Sequence, residues 1–127
     1  MLSGYELARK IVDLMLEKKA MDVKIIDLKG QNTSFDFFVL ATGTVDQHIR
    51  TISEYVRREL SQEGVKPVTL EGTSNLTWVL QDYSDVIVHI FNTETRAHYR
   101  LETLFDDCEI EEYTEESLVV EQEDSED

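Results

Sequence analysis

Asp82 and Asp85 are the first place in this chain where chemistry could reside. Two carboxylates this close can act as general acid and base, or bind a divalent cation through oxygen. With Asp36 they would make the acidic set of a two-metal nucleotidyl transfer, provided all three converge. The pair also flanks a predicted tight turn, where aspartate commonly bonds its own backbone. No third carboxylate is placed beside them by spacing, so the turn is the simpler reading. His89 and His98 are the next candidates, as zinc ligands. Nine positions separate them, one in a predicted strand and one in a predicted helix, with no cysteine pair nearby. A hydrogen-bonded core histidine explains His89 better. Cys108 stands among acids, which raise a thiol pKa rather than lower it, and has no histidine partner in view. Nothing here marks it as a nucleophile.

Trp78 alternates with Leu80 and Asp82 along one predicted strand face. A core tryptophan and an interface anchor both fit this pattern. Arg96, Tyr99 and Arg100 recur at i, i+3 and i+4 of the last helix, with Glu102 beyond them. A solvated helix face would look like this. Arg96 could instead pair with a carboxylate of the preceding strands and lock the helix down.

The elements that position these residues follow from periodicity. Residues 4–18 carry an apolar stripe (Tyr5, Ala8, Val12 and Met15, widened by Leu7, Ile11 and Leu14) and predict an amphipathic helix. Ser3 and Glu6 have capping-box spacing at its start. Residues 22–28 and 36–42 read as strands joined by a short turn, hence as an antiparallel hairpin. Gly43 interrupts the pattern. Thr44 and Gln47 form a second capping-box pattern, and Val45, Ile49, Ile52, Val56 and Leu60 predict a helix ending at Gly64. A strand-glycine-helix junction can bind phosphate at the helix N-terminus. A single glycine, with Asp46 in the first turn, argues for chain turning instead. Pro67 precedes a short strand over 68–70. The strand over 78–82 follows, then an apolar strand over 86–91, and a helix opens at Thr93. A strand apolar on both sides belongs at a covered, central sheet position. The whole predicts an α/β fold, α+β by strict definition, with a mixed five-stranded sheet packed with helices.

The formal net charge is −15, but 12 of the 27 acidic residues lie in residues 106–127, which carry no lysine or arginine. The body is close to balanced, with a net charge of −3 over residues 1–105. Two parts are expected: a folded domain over 1–106 and an acidic, mostly disordered tail over 107–127. Neither part shows the basic patch of a phosphate-backbone binder, so sequence-specific nucleic-acid binding is not expected. A basic protein surface is the better-matched partner. No apolar run can span a bilayer and no signal pattern opens the chain. With a single cysteine, the expected setting is the reducing cytoplasm, away from membranes.

An ordered series of motifs adds a resemblance. It includes Lys19-Ala20-Met21-Asp22-Val23, then Ser34-Phe35-Asp36-Phe37-Phe38-Val39-Leu40-Ala41-Thr42-Gly43-Thr44 and Gln47-His48. Glu71-Gly72, Trp78, Leu80, Asp82 and residues 85–91 follow, then Glu94, Arg96, Tyr99 and Leu101-Glu102-Thr103-Leu104. This series resembles the ribosomal silencing factor family, also called Iojap-related, over about residues 3–106. The resemblance implies a nucleotidyltransferase-like fold without the catalytic pattern, and a non-enzymatic protein with no cofactor and no metal. It implies binding to the large ribosomal subunit through ribosomal protein uL-fourteen, a steric block to small-subunit joining, and lowered translation when nutrients are short. It also implies a homodimer when the protein is free. Carried over residue by residue, Trp78 is an interface aromatic. Asp82, Asp85 and Glu102 offer an acidic complement, and His89, Phe91, Arg96 and Tyr99 line or brace the same region. This chain departs from the family pattern at Ser84, where glycine is usual, and at Phe105, where tryptophan is common. The alternative is a nucleotide-binding or nucleotidyl-transfer enzyme using Asp36, Asp82 and Asp85.

Overall fold

Alternation along each strand sorts side chains onto two faces of one sheet, and the two faces are finished differently. The computed structural model describes residues 2–114; residue 1 and residues 115–127 lie outside it. The elements run α1 (Gly4–Glu17), β1 (Met21–Asp27), β2 (Phe37–Thr42), α2 (Asp46–Gln62), β3 (Thr69–Glu71), β4 (Trp78–Asp82), β5 (Val86–Phe91), α3 (Thr93–Tyr99), α4 (Leu101–Leu104) and β6 (Ile110–Tyr113). The sheet order is β3-β4-β5-β2-β1-β6. Only the central pair β2 and β5 is parallel; every other pairing is antiparallel. This is a mixed α+β sheet, as the pattern predicts, with β5 apolar throughout and near the middle.

Helices α1 and α2 cover one face. From α1, Leu7, Ala8, Ile11, Val12, Leu14, Met15 and Leu16 are buried, and α2 adds Ile49, Ile52, Val56 and Leu60. They meet Val23 and Ile25 of β1, Phe37, Val39 and Ala41 of β2, and Val86, Val88 and Ile90 of β5. Burying each large aliphatic side chain contributes about 1.5–3 kcal/mol, which is why α1 is held although its N-cap residue Ser3 makes no cap bond. Tyr5, counted in the expected stripe, is exposed and bonds Glu111 and Tyr113 instead.

Several expectations need correction. The sheet has six strands rather than five. The sixth, β6, lies beyond residue 106, in the stretch expected to be disordered. Glutamate-rich composition hides it, but Ile110 packs against one face of the sheet and Tyr113 against the other. The remainder of that expectation, residues 115–127, lies outside the described residues. Neither capping box forms. Ser3 is the N-cap of α1 without a side-chain bond, and Val45 rather than Thr44 precedes α2. The helix expected from Thr93 is interrupted at Arg100, which is left-handed at φ 49° and separates α3 from α4.

Gly43 lets the chain turn tightly from β2 into α2. A Cβ there would lie 2.6 Å from Ile49 Cγ1, so glycine lets α2 start hard against β2. The neighbouring Thr44 N–H is already donated to His48 Nδ1 at 2.9 Å, and His48 Nε2–H donates to the Lys18 carbonyl at 2.7 Å. One neutral imidazole thus joins the start of α2 to the end of α1. In the β4–β5 turn, Ser84 sits at φ 76°, held by its N–H donating to Asp82 Oδ1 at 2.8 Å.

Gly72 combines φ +81° with a Cβ position 2.0 Å from the Trp78 carbonyl oxygen, whereas Gly64 has the same φ and open space around it. We expect Gly72→Ala to lower the urea midpoint by an amount worth more than about 2 kcal/mol. Gly64→Ala should lose only the left-handed penalty of about 1 kcal/mol, at unchanged m.

Candidate functional site

Among the described residues, the second face of the sheet is covered only by the short helices α3 and α4. Strand alternation puts Trp78, Leu80 and Asp82 of β4 there, with Ile87, His89 and Phe91 of β5 and Phe38, Leu40 and Thr42 of β2. Register then makes neighbours of them. Trp78 stands opposite Phe91, and Leu80 opposite His89, with Leu40 on His89's other side. The rings form a continuous platform. Phe105 meets Phe38 edge-on at 5.5 Å, Phe38 meets His89 at 4.5 Å, Trp78 lies 5.0 Å from Phe91, and Tyr99 covers Trp78 at 4.7 Å. Edge-to-face and offset pairs at these separations each add about 0.5–1.5 kcal/mol beyond burial. Phe105 occupies the position where the resemblance expects tryptophan, and it stacks into the platform. Tyr99 and Leu104 at the rim are 50% and 67% exposed.

His89 is the hinge of this platform. Trp78 Nε1–H donates to His89 Nδ1 at 3.0 Å, which fixes the neutral imidazole with its proton on Nε2. That Nε2 is buried without a hydrogen-bond partner among the described residues. Removal from water lowers the His89 pKa to about 4. The ring therefore orients the indole without carrying charge, and the reading of His89 as a hydrogen-bonded core residue holds.

Arg96 holds down the cover. Its guanidinium is 6% exposed, and Nη1 donates to the Asp22 carbonyl at 2.6 Å and to Thr42 Oγ1 at 2.9 Å. Its charge faces Asp22 Oδ2 at 3.6 Å and Glu102 Oε1 at 3.5 Å. Glu102 reaches on to Lys24 at 3.6 Å, and Lys24 also meets Glu112 of β6 at 3.4 Å. One network thus ties α3, α4, β1, β2 and β6 together. The simpler expectation of a solvated face fails for Arg96 and holds for Tyr99 and Arg100, which are exposed. Asn92 begins α3 with a side-chain cap, accepting from the Thr95 N–H at 2.8 Å.

The residues singled out from sequence therefore divide. Trp78, His89, Phe91 and Tyr99 share the platform, and Arg96 and Glu102 brace its cover. Asp82 is at the far end of β4, bonding its own turn. Asp85 stands apart. Its Oδ2 accepts the Gly4 N–H at 2.6 Å, so it caps α1 from the helix side of the sheet. Asp82 and Asp85 thus each accept from a backbone N–H, and among the described residues no three His, Cys, Asp or Glu side chains gather as a metal site. His98 lies beside Tyr99 at the surface, with ring centroids 4.9 Å apart. Sequence reasoning missed Phe38 and Phe105 as platform members. The period-2 pattern of residues 36–42 was the available signal for Phe38.

Two outcomes follow. Because His89 is held neutral, the unfolded chain takes up its proton first as pH falls. The stability this contributes is complete above about pH 6.5 and is lost toward pH 4. Between pH 7.5 and 5, the wild type should lose about 2 kcal/mol more than His89→Asn, measured by urea unfolding. Arg96→Met should cost about 3 kcal/mol, because Glu102 loses its closest cation and Asp22 one of its two. Hydrogen exchange in residues 93–105 should rise more than in α1.

Comparison with known proteins agrees with this architecture. The family model described as ribosomal silencing factor during starvation matches residues 3–127. A ribosomal silencing factor from Halalkalibacterium halodurans is 33% identical over 107 residues, covering 84% of this chain and 92% of that protein. A crystal structure of a Chromobacterium violaceum protein superposes with a TM-score of 0.79 at 26% identity, covering 83% of this chain and 88% of that one. A mouse protein named for mitochondrial assembly of the ribosomal large subunit is 27% identical over 98 residues, covering 75% of this chain and 43% of its own length. The chain belongs to the ribosomal silencing factor family.

Proposed function

We propose that the aromatic platform docks this protein on the large ribosomal subunit, through ribosomal protein uL-fourteen. The bound protein then excludes the small subunit by occupying its place. Such a block needs affinity and an address, and no bond is made or broken. The single observation that carries the reading is the platform itself. One sheet face is closed by helices, while the other presents linked rings with Tyr99 and Leu104 open to solvent. A central aromatic cluster with a polar rim is the anatomy of a protein-binding surface. Its rim is acidic, with Asp106, Asp107 and Glu109 exposed after α4, and suits a basic ribosomal protein. The mouse relative's name points to the same subunit.

The setting is the cytoplasm, under nutrient limitation. No described helix is long and apolar enough to cross a membrane. When free, two copies pair through the same apolar surface, so docking and dimerisation compete.

The clean variants are at the rim, where folding is not at stake. Tyr99→Ala with Leu104→Asp should reduce co-sedimentation with large subunits by about thirtyfold or more, the equivalent of an interface hot spot. The same variant should restore joined ribosomes when small subunits are added. Asp85→Asn should weaken the fold while leaving binding intact. Full binding by the rim variant would place the docking surface elsewhere.

A further inference from the structure

The sheet's far edge carries a feature of opposite sign. Between α2 and the β3 edge runs a groove of about 710 Å3, bordered by Arg57, Arg58 and Lys66 and floored by Pro67 and Leu70. It continues into a smaller hollow that reaches Arg50. All four cations are exposed. Among the described residues Arg58 pairs only with Glu59, at 3.8 Å, and Arg50, Arg57 and Lys66 have no carboxylate within ion-pair distance. In a body of net charge −3, these four of its twelve basic residues lie along one groove. Glu54 is the one acid lining it.

Residues 115–127, outside the described structure, carry seven acidic and no basic residues. They follow β6, whose last residue Tyr113 pairs with Val23 at the start of β1. That is the end of the sheet where Thr42 leaves β2 and the chain enters α2. From there to the β3 edge is five strand spacings, about 24 Å. Thirteen residues reach about 43 Å when extended. A crossing of that length takes about seven extended residues, so the chain is long enough for residues 121–127, with five of the seven acids, to reach the Arg50 end of the groove.

We infer that this groove is the docking site of the chain's own acidic segment, residues 121–127, in the same molecule. The segment acts as a tethered counter-ligand for Arg50 and Arg57 and keeps other polyanions out. Arginine suits the role, since its planar fork pairs with carboxylates bidentately. Tethering supplies effective concentrations in the millimolar range, enough for a weak contact to persist.

The test uses the full chain with Glu121→Gln, Glu123→Gln, Asp124→Asn, Glu126→Gln and Asp127→Asn. The backbone and side-chain nitrogen resonances of Arg50 and Arg57 should shift on neutralisation, and about 0.5 M salt should shift the wild type the same way. The shifts should not depend on protein concentration. An oligouridylate should bind the neutralised chain at least about fivefold more tightly than the wild type, and Arg57→Glu should erase that difference. Unmoved arginine resonances would overturn the proposal. So would a concentration-dependent shift, which would assign the groove to a second copy. Equal oligouridylate binding by both chains would overturn it too, making the groove an open nucleic-acid surface.

Discussion

A buried guanidinium decides whether this protein has a second face at all. Arg96 is the one buried arginine, lysine, aspartate or glutamate among the described residues, and taking it from water is costly. The cost is met by two hydrogen bonds, to Asp22 and Thr42, and by the carboxylates of Asp22 and Glu102. Lysine would not replace it, because the contacts are shared among Nη1, Nη2 and Nε of the guanidinium and an ammonium offers a single nitrogen. Through this contact the short α3 and α4 are laid across the strands. Neither helix is long enough to be stable alone. Tyr99, Leu101 and Phe105 therefore owe their places over the sheet to Arg96.

The two faces differ in what they leave over. Between α1, α2 and the sheet the core is closed, and even its polar members are paired. Gln81 donates to Ser53 and accepts from Tyr83, whose pKa burial raises. On the other face Ile26, Leu28, Leu40 and Phe91 are buried, but the rings around them stay half-open. The result is a surface that is apolar at the centre and polar at the rim, the anatomy of a protein-binding face. The Trp78–His89 bond adds rigidity, since it holds the indole in one orientation on the sheet.

Much of this was legible in the residues. The apolar stripes gave α1 and α2, period-2 alternation and apolar runs gave the strands, and the alternation of Trp78, Leu80 and Asp82 put them on one sheet face. What stayed hidden depends on contacts across long stretches of chain. Asp85 looks like a site carboxylate until Gly4, 81 positions away, is seen to donate to it. Ser3 and Thr44 match capping boxes, but Ser3 makes no side-chain cap bond, and Thr44 lies one residue before the N-cap of α2 with its hydroxyl beside His48 Nδ1. β6 was masked by glutamates that look solvated in sequence and are recruited by Tyr5 and Lys24 in space. Arg96 was readable as a clasp or as surface, and only burial separates the two.

The most direct test of the account is hydrogen exchange on the full chain, free and bound to large ribosomal subunits. The account predicts new protection confined to the platform and its cover, residues 97–108 and the outer edge of β4, with α1 and α2 unchanged. Protection on α1 and α2, with residues 97–108 still exchanging freely, would contradict it.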